Sequence, residues 1–243
     1  VTEASKVSAG SALVTISDNA FANTNATIAA SDLQAIGNAT TGAVTVTNAI
    51  KITGSQSDVT AALVTEASKV SAGSAIVNIT DNAFANTNST IAASDLKNIG
   101  NATSGTVTVD NLVKVTGSQS DVTAALVTEA SKVVFATGNT LAEVSNAVTA
   151  AQGQAIAATT NISAAFAGGV EDSTSNLYST NNNAITDNFS AVKTEDSDVA
   201  VTISDSAYDA ANNDTTIAAT TLSGIGNATT GTVTVTNAIA ITG

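Results

Sequence analysis

The 243-residue chain contains no Cys, His, Met, Pro or Trp. Without Cys and His it lacks the commonest nucleophile, the usual general base near neutral pH and the soft metal ligands, so most of the catalytic repertoire is excluded. Aromatic residues are 3% of the chain and Lys and Arg together number seven. A core must therefore be assembled from Val, Ile, Leu and Ala, and no basic patch is available. The formal charge of -13 repels nucleic acid and anionic membrane, so no nucleic-acid partner is expected. No apolar run approaches the roughly 20 residues of a membrane span, and Val1 to Gly10 carry neither an initiator Met nor a basic, then apolar, export signal. With no Cys, the redox compartment is not legible.

What is present is a repeat. Residues 1–63 and 64–126 align without a gap and are identical at 51 of 63 positions. A third copy opens at Val127 with VTEASKV, diverges over 134–199, and returns at Val201 as an echo of Val14 to Gly54. The chain thus divides into two clear 63-residue repeats (1–126), a degenerate copy with a surface insertion (127–199) and a partial clear repeat (200–243). Both ends read as cuts through a longer array.

The 12 differences between the first two copies separate an inside from an outside. Leu13/Ile76, Ile50/Val113 and Ile52/Val115 exchange one apolar residue for another, as buried positions do. Thr15/Asn78, Gln34/Lys97, Ala35/Asn98 and Thr47/Asp110 vary as a solvated face does.

Each repeat contains two similar coils. In one, Val44 to Val46 and Ile50 to Ile52 alternate at period 2 around a corner at Asn48. Ser55-x-x-Asp58 then starts a helix whose apolar positions Val59, Leu63, Ala67 and Val70 run to Gly73. In the other, Val14 and Ile16 form a strand, Asp18-Asn19 a corner and Thr27-Ile28 a second strand. A capping box at Ser31-x-x-Gln34 and a helix ended by Gly37 follow. In the degenerate copy, Thr149-x-x-Gln152 predicts a helix and Asn161 to Phe166 a strand, whereas Glu171 to Asn188 reads as an exposed loop. One coil cannot bury both its strand face and its helix stripe, but stacked coils can. The expected fold is an α/β repeat solenoid of strand-corner-strand-helix coils with parallel strands, the alternative being an all-β parallel β-helix.

The segments VTEASKVSAG, TIAASDL, IGNATTGTVTVTNAI and ITGSQSDVTAAL resemble the Thr/Ala/Asn-rich tandem repeats of very large secreted cell-surface proteins of cyanobacteria and other aquatic bacteria. The resemblance implies an extracellular or cell-surface structural role. One departure is that the calcium-binding glycine-rich nonapeptide of related exported proteins is absent, Gly168-Gly169-Val170-Glu171-Asp172 being its nearest approach.

No catalytic residue and no required cofactor emerge. Asp18, Asp81 and Asp205 occupy equivalent corners with Asn48, Asn111 and Asn237; short polar side chains there bond adjacent backbone and stack as a ladder. Calcium at Asp18, Asp81 and Asp205 is the functional alternative, since carboxylate and carbonyl oxygens suit it. Phe21, Phe84 and Tyr208 follow the corners as core plugs. Glu3/Lys6, Glu66/Lys69 and Glu129/Lys132 read as solvated helix pairs. Partner contacts are assigned to the break in the repeat, at Glu171, Asp172, Tyr178 and Asn182. The functional expectation is a segment of an extracellular fibre, sheath or giant adhesin that self-associates; the alternative is a module gripping surface glycans.

Overall fold

The computed structural model describes residues 9–65, 69–128, 132–136, 138–211 and 216–243. It is mixed α/β with several parallel sheets, and it divides into two compact units, residues 1–115 with 124–140 and residues 116–123 with 141–243.

In the first unit, Val14–Ile16, Val44–Val46 and Val70–Ser71 form one parallel sheet. Thr27–Ala29, Lys51–Gly54, Ile76–Ile79, Val107–Val109 and Val133–Phe135 form a second, also parallel. Alternation places Val44, Val46, Ile52, Val77, Ile79, Val107 and Val109 in the core, and Thr45 between them faces solvent. The helices Ala30–Asn38, Gln56–Leu63 and Ala93–Ala102 bury Leu33, Val59, Leu96 and Ile99 against these strands. The strand Ile76–Ile79 is hydrogen-bonded on both sides: Val77 is in register with Ile52 on one and Val107 on the other. Strands of neighbouring copies thus share one sheet, an arrangement that leaves this strand no open edge.

Several local expectations hold. The corner around Asn48 separates the strands Val44–Val46 and Lys51–Gly54, and Ser55 caps the next helix by accepting from the Asp58 amide at 3.2 Å. Ile50, Val113, Ile52 and Val115 are buried as their apolar exchanges imply.

Others are corrected by long-range bonding. The helix after Ser55 ends at Leu63, and Val70 joins a strand in register with Val44. Lys69, whose carbonyl accepts from the Val44 amide, has a left-handed φ of 53°, so Lys69 is not a helical partner for Glu66. Lys132 is likewise left-handed; Glu3, Lys6, Glu66, Glu129 and Ala67 lie outside the described residues. Ser31 and Gln34 form no capping box, because the helix already begins at Ala30 with Ala29 at its cap and no side-chain bond there. Gly37 is buried inside that helix, which runs to Asn38. The chain is turned by Thr40, whose hydroxyl donates to the Ala12 carbonyl at 2.6 Å and accepts from the Gly42 amide at 2.9 Å. Thr103 and Thr229 make the same pair of bonds in their copies. Leu13 is 79% exposed, so its exchange with Ile76 does not mark a core position. Thr15/Asn78 and Thr47/Asp110, which look like independent surface changes, form a pair: the Asn78 amide donates to the Asp110 carboxylate.

In the second unit, Val170–Asp172, Val201–Ile203 and Val233–Val235 form a parallel sheet, and Ile217–Ala218 pairs with Ile241–Thr242. The helix Ala150–Ala157 carries the expected capping box at Thr149 and Gln152, and Ile162–Ala165 is the expected strand. Phe166, Phe189, Ile156, Leu177 and Ile203 are fully buried. Asp187–Glu195 is capped by the Thr186 hydroxyl and ends at Asp196, whose carboxylate accepts from the Phe166 amide at 2.6 Å. Burial, and then the neighbouring Asp198 carboxyl, raise the Asp196 pKa above its ordinary 3.8, although the Phe166 bond opposes this. A raised folded-state pKa means that the proton stabilises the fold at low pH and that this contribution is lost as pH rises through the folded value. Asp196→Asn keeps an acceptor for Phe166 and removes the charge. It is expected to raise the melting midpoint at pH 7 by about 1 °C, a small shift because the group is largely solvated. The gap should close as pH falls through the carboxylate range, which thermal melts at pH 7 and pH 3 would test.

A groove at the break in the repeat

The corners carry most of the ordered polar chemistry. Asn48, Asn111 and Asn237 each donate a side-chain N–H to the backbone carbonyl of Asp18, Asp81 and Asp205 at 2.7 Å, which is the corner ladder expected of short polar residues. The carboxylates themselves do something the sequence does not announce. Asp81 accepts from the Gln56 amide at 2.6 Å and Asp205 from the Thr174 amide at 2.7 Å. Each of these amides is the first of a helix, where backbone donors lack intrahelical partners and a negative charge is favoured. Asn146 and Asp172 do the same for Gln119 and Ala150. Asp18 is exposed. The three corner aspartates stand at separate corners, and no group of three or more acidic side chains that could hold a metal ion occurs among the described residues.

Phe21 and Phe84 are half-buried rather than core plugs, with the Lys51 and Lys114 ammonium groups 5.0 and 5.7 Å from their ring centroids. Tyr208 is 41% exposed. The rings sit on short surface turns, Phe21–Thr24 and Phe84–Thr87, that the strand pattern did not reveal. Asn25 and Asn88 close these turns with φ of 54°, a conformation Asn tolerates.

The stretch from Glu171 to Asn188 is ordered rather than an open loop. It contains the strand Val170–Asp172, the helix Thr174–Leu177 and an antiparallel hairpin pairing Tyr178–Ser179 with Ala184–Ile185. Glu171 and Asn182 are exposed, whereas Asp172 and Tyr178 are only 8% and 7% exposed; Asp172 is engaged within the fold, and Tyr178 lines a groove beside the hairpin. Asp172 is occupied by the Ala150 amide, the Ser173 amide and the Asn176 side chain. Tyr178 packs inward with its ring against Gly224, and its hydroxyl donates to Asn183 at 2.9 Å.

Beside the hairpin lies a groove of about 490 Å³, within the range of small-molecule sites. Thr174, Tyr178, Asn181 and Thr186 line it from the hairpin side, and Ile217 and Thr221 from the strand Ile217–Ala218 and the helix Ala219–Gly226. Its residues were not legible in the sequence as a set, apart from Tyr178. The signal that could have found them is comparison within the chain. Thr221 stands where the first two copies have Asp32 and Asp95, and Gly224 where they have Ala35 and Asn98.

Comparison of the chain with protein-family models, with curated proteins and with solved structures returns no match, so the geometry above is the basis for its function.

Proposed function

We propose that the chain is a structural segment of an extracellular fibre, sheath or giant surface adhesin, built as an α/β solenoid and acting without catalysis by repeat stacking and self-association. The observation that carries this reading is the recurrence of one hydrogen-bonded framework. Thr40, Thr103 and Thr229 tie their turns to a neighbouring coil, and Asn48, Asn111 and Asn237 tie their corners, with nearly constant distances. Such a framework adds a strand and a corner per coil, so its natural product is length and a repeated surface. The missing Cys and His agree with it. No helix among the described residues is long and apolar enough to cross a membrane. On this reading, light scattering of the chain over a concentration series, with electron microscopy of the native protein, shows end-to-end or lateral assemblies. Monodisperse particles at every concentration, with no filament or sheath in micrographs, would remove it.

A second reading, supported by the groove, is that the segment also grips surface glycans. The groove sits where the repeat is broken, which is where a partner can be distinguished from the uniform remainder.

A further inference from the structure

We infer that the groove beside the hairpin binds a neutral saccharide unit, with Thr221 and Asn181 as hydrogen-bonding groups and Tyr178 with Ile217 as the apolar wall. The inference rests on the second reading and is independent of self-association.

The repeat supplies its own control. In the first unit, Gln56 opens its helix and its side chain donates to Asp95 at 3.0 Å, closing the space between two helices with an amide–carboxylate hydrogen bond. Thr174 occupies the place of Gln56, since its amide is held by Asp205 as that of Gln56 is held by Asp81. Thr221 occupies the place of Asp95. Two threonines are too short to meet across the gap, and the space opens as the groove. A second departure accompanies the first. A Cβ at position 224 would lie 2.2 Å from the Tyr178 ring, so glycine there is what admits the ring against the helix.

Thr221 is 5% exposed, lines the groove and makes no hydrogen bond among the described residues. The Thr221 hydroxyl meets solvent in the groove, where it can donate to and accept from an external partner. Asn181 also lines the groove with its amide unengaged among the described residues. The lining contains no charged side chain, because the one carboxylate that the repeat would place there has become Thr221. A charged ligand would find no counter-charge. A pyranose, with hydroxyls at its rim and C–H groups on its faces, matches a wall of hydroxyl and amide groups beside Ile217 and the tyrosine ring.

The test uses the full 243-residue chain, titrated with glucose, galactose, mannose and N-acetylglucosamine, with glucuronic acid as charged control, and read by amide chemical shifts. At least one neutral sugar is expected to move the amides of Asn181, Thr221 and Gly224 with a dissociation constant of the order of millimolar. Thr221→Asp restores the residue of the other copies and should keep the fold by circular dichroism while weakening the sugar about tenfold or more. Thr221→Val, which keeps shape and loses only the hydroxyl, should weaken it by a smaller factor. No shift at these amides with any neutral sugar up to roughly 100 mM overturns the proposal, as does glucuronic acid binding as tightly as the neutral sugars. On immobilised glycans, binding that survives Thr221→Asp overturns the groove but leaves the adhesin reading standing. Retention of no glycan by the wild-type chain overturns both.

Discussion

Gly105→Ala is expected to destabilise the first unit by about 3 kcal/mol, although it adds a single methyl group to a turn. An added Cβ would stand 2.3 Å from the Ala75 carbonyl oxygen and 2.8 Å from both the Ala75 carbonyl carbon and the Ser74 oxygen. These are backbone atoms of the segment that leads into the strand Ile76–Ile79, so no rotamer change relieves the clash. The same backbone carries the bond from the Thr103 hydroxyl to Ala75 at 2.6 Å and the bond from the Gly105 amide to Thr103 at 3.0 Å. Moving the two segments apart breaks the Thr103–Ala75 bond inside a buried site, leaving a donor and an acceptor unpaired, while the Gly105–Thr103 bond lies within the turn itself. Gly42 stands in the same relation to Ala12 and Ser11, and Gly231 to Val199 and Asp198, so the effect should recur in each copy. Gly226→Ala is the control: nothing lies within 4 Å of its added Cβ, and alanine in a helix is preferred to glycine. Urea midpoints, with hydrogen exchange of the amides at 73–75 and 103–105, read the outcome. A change at Gly105 of less than about 0.5 kcal/mol would show that the turn does not govern the packing of these two segments.

The second large effect is expected at Asp172. Asp172→Ala leaves the amides of Ala150 and Ser173 and the side chain of Asn176 without their acceptor, at 3.0, 2.9 and 2.7 Å in the intact protein. A charge-assisted bond inside a protein contributes about 1.5–3 kcal/mol, and these three share one carboxylate, so a loss of about 3 kcal/mol in the second unit is anticipated. Asp172→Asn should fall between the two, because one carboxamide oxygen replaces two acceptors and the NH2 group faces a donor. Protection of the Ala150 amide against exchange should drop in step. Glu171→Gln and Asn182→Ala, both exposed, should stay within about 0.5 kcal/mol of wild type. If Asp172→Ala leaves stability unchanged and alters only binding to a partner, the residue belongs to a contact surface, as the sequence pattern had implied.

Much of the architecture was legible before any coordinates. Two nearly identical 63-residue copies prescribe two nearly identical conformations, and period-2 alternation at Val44 to Val46 and Ile50 to Ile52 marks strands in which every second residue must leave water. Ser55 and Thr149 declare helix starts because a side-chain oxygen, a few bonds away, satisfies a backbone donor locally. Such signals depend on neighbours in the chain, so the chain alone carries them. The failures are of the opposite kind. Val70 continues a helical spacing, but its backbone reaches Val44 and a strand results. Gly37 looks like a helix stop, but the helix runs to Asn38 and the chain is turned at Thr40, held by the Ala12 carbonyl. Asp172 and Tyr178 lie in a stretch with the composition of a loop, yet bonds to Ala150 and Asn183 and the space left by Gly224 place them largely inside. The groove belongs wholly to this second class. Nothing local distinguishes Thr221 or Gly224, and their meaning appears only when folding sets the first opposite Thr174 and the second beneath Tyr178. The repeat by itself determined which residues alternate and where helices begin. Tertiary structure alone determined which carboxylates cap which helices, and where an amide–carboxylate hydrogen bond gives way to open space, because those outcomes depend on atoms brought together from segments distant in the chain.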